Sequence, residues 1–304
     1  MNCLRAFQVV FISIAVLAIL TSPKASAAVI QRSFGGDAST SGVTSILATR
    51  DLFRSDLGGG TIAGANGSFG GLRREINWDG VPAASSAPNS LASNFFNVNS
   101  PRGAVFSSPG TGFQVSNAGA GQPALANFGN INASYSNEFG VFSAQRLFTA
   151  LGSNIMDVNF FQAGTNTTAT VSGFGSIFTD VDLLGSTSIQ YFDQVGASLG
   201  VFNVPVGTVS SGSLSFLGVS FNAGERIGRV RITSGNAALG AGINDGGATD
   251  LVVMDDFIYS EPMAVPEPST FGMFGLASLL LLCRRFRNQK ARIFRNTRPA
   301  EFQN

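Results

Sequence analysis

From residue 169 onward the chain reads as short apolar runs punctuated by Gly, Ser, Asn and Asp. The runs ATVSGFGSIFTDVD, TSIQYFD, LGVFNVPV, SLSFLGVSF, IGRVRIT and DLVVMDDFIYS are rich in Val, Ile, Phe and Thr, and each predicts a strand. In Arg229-Val230-Arg231-Ile232 the alternation places arginines outward and aliphatics inward. One earlier segment has helical spacing instead. In TSILATRDLFRSDLGGG, residues Ile46, Leu47, Phe53 and Leu57 recur near one face. Thr44 or Ser45 is the expected cap, and Gly58-Gly59-Gly60 the expected stop. Many short strands with one N-terminal helix predict a mainly β fold, a jelly-roll-like two-sheet β-sandwich over residues 28–264. No unit of about 20–50 residues repeats, which excludes a propeller or solenoid.

The two ends have a different pattern. Arg5 precedes an apolar run from Ala6 to Leu20, and Ala25-Ser26-Ala27 fits the small-x-small rule for cleavage between Ala27 and Ala28. Residues 1–27 therefore read as a secretory signal peptide. At the other end Phe271 to Cys283 is apolar, and Arg284, Arg285 and Arg287 follow, with Lys290, Arg292 and Arg295 close behind. That order predicts a short transmembrane helix, its basic tail cytoplasmic and everything before Val265 outside. Val265-Pro266-Glu267-Pro268-Ser269-Thr270, then the apolar segment, then the arginines, resembles the PEP-CTERM sorting signal of Gram-negative bacteria, with Pro266, Glu267 and Pro268 as its motif. The resemblance divides this end into a sorting signal at 265–290 and a cytoplasmic tail at 291–304. It implies the export machinery and exosortase, a membrane-embedded cysteine transpeptidase-like enzyme, as partners. It also implies transient anchoring in the inner membrane, then the cell surface or extracellular matrix of biofilm-forming bacteria. It implies sorting, not the activity of the cargo.

Composition narrows the chemistry. Histidine is absent, which removes Ser-His-Asp and Cys-His nucleophiles and every histidine metal site. The two cysteines, Cys3 and Cys283, lie in the terminal segments, so 28–264 has no disulfide and no thiolate site. The whole chain carries a formal +1, but residues 28–264 hold ten arginines against sixteen acids, about −6. An acidic, lysine-free exterior argues against nucleic acid and suits divalent cations.

Two groups are candidates for a site. In Arg73-Arg74-Glu75-Ile76-Asn77-Trp78-Asp79-Gly80-Val81-Pro82 the only tryptophan stands among polar residues. Trp78 reads either as a sugar-stacking platform, a possible ligand contact, or as a ring covering the sandwich end where a strand enters an Asp-Gly turn. This stretch, with Ser100–Phe106 and Gln145–Thr149, is similar to ectodomains of other PEP-CTERM proteins, a likeness that implies no particular activity. Carboxylates cluster at Asp180/Asp182 and Asp255/Asp256, with Asp245 and Asp250 in the loop INDGGATD. On a regular strand Asp255 shares a face with Phe257 and Tyr259, and Asp256 with Ile258, so the two point apart. No cofactor is expected except a structural calcium, with Asp255 its first-choice ligand. The reading is a non-enzymatic structural, adhesive or glycan-binding sandwich with extracellular polysaccharide as a partner. The alternative is a secreted carbohydrate-active hydrolase using paired carboxylates.

Overall fold

A computed structural model of the protein describes residues 28–37, 39–59, 72–117, 123–209 and 211–265, together with Arg284. The chain divides between Ala264 and Val265 into two units. The first opens with β1 (Val29–Asp37), α1 (Thr40–Asp56), β2 (Arg73–Ile76), β3 (Ala104–Ser107) and β4 (Gly112–Val115). It continues with β5 (Phe148–Leu151), β6 (Ile155–Phe160), β7 (Ala169–Thr170), β8 (Gly173–Thr179), β9 (Ser188–Asp193) and β10 (Ser198–Asn203). It ends with β11 (Ser213–Phe221), β12 (Ile227–Thr233), β13 (Val253–Ser260) and β14 (Met263–Ala264).

A seven-stranded sheet has the order β1-β11-β8-β13-β5-β4, with β2 also paired to β13, and a five-stranded sheet has the order β10-β9-β12-β6-β3. Every pairing is antiparallel. The two sheets close on one core, Phe113, Phe148, Phe174, Phe178 and Phe257 from the larger meeting Phe106, Val158, Phe160, Ile189 and Val230 from the smaller. The expected sandwich is present. The outward arginines of β12 are also where the alternation places them, Arg229 and Arg231 pairing with Asp157 at 2.9 and 2.8 Å.

The outer face of the larger sheet is covered by α1. Ile46, Phe53 and Leu57 pack on Ile177, Leu214, Phe216 and Ile258. This is why β8, β11 and β13 are buried along their whole length. Glycines set the approach distance: a β-carbon on Gly218 would stand 2.8 Å from the Phe53 ring, and one on Gly173 2.6 Å from Leu57. The helix starts earlier than its apolar spacing suggests. Ser39, not Thr44 or Ser45, is the cap, accepting from Gly42 N at 3.3 Å. Gly58 at φ +104° and Gly59 at φ +66° end it as expected.

β1 is an element the sequence pattern did not reveal. VIQRSFGGD alternates weakly, and it becomes a strand because β11 offers it nine consecutive partners, Val29↔Phe221 to Asp37↔Ser213. The signal segment 1–27 and the apolar segment 271–283 lie outside the described residues. Among the described residues no helix is long and apolar enough to cross a membrane.

The helix–glycine contact yields a stability prediction. Phe53→Ala should cost about 3–5 kcal/mol in denaturant unfolding, and Gly218→Ala about 1–3 kcal/mol by forcing the ring aside. The second substitution should cost less in the Phe53→Ala background, where the ring is gone. Strict additivity of the two would show that the ring and the glycine do not meet.

Candidate functional site

Trp78 follows β2 at the Asp79-Gly80 turn, where Val81 N donates to Trp78 O at 2.9 Å. Its backbone has φ +65° and its side chain is 1% exposed. The indole stacks on Phe148 at 4.0 Å and 9°, meets Phe257 and Phe96 edgewise at 5.0 and 5.4 Å, and donates from Nε1 to Asp255 O at 2.7 Å. A ring so enclosed is a core residue. The sugar-stacking expectation for Trp78 is therefore corrected: its faces are occupied by phenylalanines. A groove of about 290 Å³ beside it is lined by Asn77, Pro82, Asn99 and Arg102 among others, and carries no carboxylate. Phe106 joins the cluster at 5.2 Å from Phe148, so the stretches that carry Trp78, Phe106 and Phe148 pack on one another.

Asp255 and Asp256 are placed differently from a regular strand. β13 pairs with β5 through Met254 and with β2 through Phe257 to Ser260 on the same edge. Between those partners its register against β8 shifts, a bulge that turns both carboxylates to one side. Asp255 Oδ2 accepts from Phe142 N at 2.8 Å and Ser143 N at 3.2 Å. Ser143 Oγ reaches Asp255 Oδ1 at 3.0 Å and Asp256 Oδ1 at 2.9 Å. The same loop is held at its far end by Asp79 Oδ1, which accepts from Gln145 N and Arg146 N at 2.6 and 3.0 Å. What meets Asp255 is thus a set of N–H and O–H donors, so the expectation that it ligates calcium is replaced by a structural clasp. Burial, then the adjacent Asp256 charge, pushes Asp255 well above the usual carboxylate range. Burial raises Asp256 too, with Glu75 adding repulsion and Arg50 opposing it.

The acids that do converge are Glu138, Asp180 and Asp245, each offering an oxygen within 4.8 Å of the other two. Glu138 ends the one-turn helix Tyr135–Glu138, Asp180 follows β8, and Asp245 lies in the glycine-rich loop before β13. Ser211 Oγ holds Glu138 Oε1 at 2.8 Å and Leu251 N holds Asp245 Oδ1 at 2.7 Å. Asp180 is 0% exposed, and neither of its carboxylate oxygens has a hydrogen-bond partner among the described residues. Burial first, then the charges of Asp245, Asp182, Glu138 and Asp250, pushes Asp180 up to about 9. Burial and neighbouring acids push Asp245 up to about 6. Asp250 is separate, its carboxylate accepting from Asp182 N, Leu183 N and Ser186 Oγ. Sequence reading flagged Asp180 and Asp245 but missed Glu138, which no local pattern marks.

Two outcomes follow. The protein's only tryptophan should emit as a buried indole, resist iodide quenching and ignore added oligosaccharides until the domain unfolds. Quenching of the native state would place the ring at the surface. The bulge pair gives a pH dependence. Unfolded aspartates release their protons near pH 4, whereas the folded pair holds one higher. Above that pH the folded state binds more protons than the unfolded, so stability falls as pH rises. The slope reaches at most about 1.4 kcal/mol per pH unit for one proton. Asp256→Asn should flatten part of that slope in urea unfolding between about pH 5 and 8. An unchanged slope would mean that the pair holds no shared proton.

The second unit carries the sorting residues. Pro266, Glu267, Pro268, Arg285 and Arg287 lie outside the described residues, as does Ala27, while Ala28 and Arg284 are exposed. A search of curated proteins and of solved structures finds no match to the chain. The family model of the PEP-CTERM protein-sorting motif matches residues 264–288, starting on the last residue of β14. This is a PEP-CTERM sorting-motif-containing protein, exported, anchored transiently through its C-terminal tail and sorted by exosortase.

Proposed function

We propose that the 28–264 domain is a non-catalytic structural or adhesive module, a jelly-roll-like sandwich delivered to the cell surface or extracellular matrix. The sorting motif at 264–288 carries the reading, because a sorting signal that begins at the last residue of β14 makes the preceding domain its cargo. Extracellular polysaccharide is the partner this destination favours. The domain suits exposure outside the cell: its described part contains no cysteine, and its stability comes from burying Phe, Val, Ile and Leu. The hydrolase alternative draws less support. The described lining of the Trp78 groove has no carboxylate.

Replacing Pro266-Glu267-Pro268 with alanines should leave the full chain unprocessed in the inner membrane, read by fractionation and immunoblot. Unchanged release to the surface would defeat the sorting account. For the cargo, the exported protein should co-sediment with the cells' own exopolysaccharide without shortening it. Release of reducing ends would favour the hydrolase.

A further inference from the structure

We propose that Glu138, Asp180 and Asp245 form a calcium-binding site that ties the end of β8 to the one-turn helix before it and to the glycine-rich loop after it. Three carboxylate oxygens within 4.8 Å of one another match a shared ion at about 2.4 Å from each, since such oxygens stand at most about 4.8 Å apart. The observation that separates this cluster from ordinary surface acids is Asp180. It is fully enclosed and both its oxygens lack hydrogen-bond partners among the described residues, an arrangement that disfavours the charged carboxylate unless a cation neutralises it. None of the ion pairs among the described residues involves any of the three acids, or Asp182 or Asp250 beside them. A cation is the missing partner.

The surroundings are built to hold such an ion. Asp180 N donates to Ser213 O at 3.0 Å and Gly212 N to Glu138 O at 2.7 Å, so the backbone under two ligands is pinned. Glu138 and Asp245 are each half-buried, which leaves a path from solvent. Hard oxygen ligands on an irregular loop suit calcium, which accepts six to eight oxygens in flexible geometry with water completing the shell, better than magnesium, which demands a regular octahedron. The site is distinct from the clasp at Asp255, which accepts from Phe142 N and Ser143 N and meets Ser143 Oγ.

The test uses the full chain in detergent, stripped with EDTA and dialysed free of chelator. Calcium chloride at about 10 mM should raise the melting midpoint by about 3–10 °C over potassium chloride of equal ionic strength. Calorimetric titration should find one ion per chain. Asp180→Asn should abolish the shift and, in EDTA, melt no lower than the parent, because an amide of the same shape replaces an enclosed acid that has no hydrogen-bond partner among the described residues. Glu138→Gln, at a half-buried position, should lose the shift as well and serves if Asp180→Asn does not fold. Asp193→Asn, at the last residue of β9, should keep it. A parent midpoint indifferent to calcium would overturn the proposal, as would retention of the full shift by Glu138→Gln.

Discussion

β8, β11 and β13 are buried on both faces, one face against the smaller sheet and the other against α1 and the loops beside it. A polar group left unanswered on a strand with no solvent face costs far more than it would in water. Much of the surrounding architecture supplies such answers, while the hydroxyls of Ser213, Ser215 and Ser220 on β11 stay without a hydrogen-bond partner among the described residues. Glycines on β8 and β11 let Phe53 and Leu57 come close enough to exclude water from the outer face. At the bulge in β13 the answer is the 142–146 loop, which lays two backbone N–H groups and a serine hydroxyl on Asp255 and Asp256.

Charge is handled in two distinct ways. Arginine–carboxylate pairs gather where β2 and α1 meet, with Glu75 bound by Arg54 and Arg73, and Arg74 held bidentately by Glu261 at 2.7 and 2.9 Å. Arg74 is 1% exposed, so removing Glu261 would take the bidentate partner from a buried cation, whereas the exposed Arg231–Asp157 pair contributes little. Beyond β8 the pattern reverses. Five acids lie near one another there without an arginine in salt-bridge range among the described residues. That segregation is the electrostatic feature of the domain, and it follows from residues 28–264 having only ten arginines to place against sixteen acids.

A domain so arranged makes sense as cargo. It has no cysteine to mispair in an oxidising compartment, and its last strand ends on the first residue of the sorting motif.

The strands after residue 169, the helix and its glycine stop, the two-sheet class and the sorting tail were all legible in the sequence, because each depends on neighbours a few residues apart. Period-two alternation, helical spacing and a tripartite tail are local codes. Only the tertiary structure decided the rest. β1 becomes a strand because β11 is there to pair with it. Trp78 amid polar neighbours read either as a sugar platform or as a ring covering the sandwich, and only Phe148, Phe96 and Phe257, brought to it by the fold, enclose it. Alternation predicts that Asp255 and Asp256 point apart, but a change of partner strand along β13 inserts a bulge and brings them together. Glu138, Asp180 and Asp245 meet only because the strand ends and loops that carry them converge at one end of the sandwich. Side-chain periodicity specifies which face a residue takes relative to its own strand, while burial and coordination depend on what the fold brings to that face.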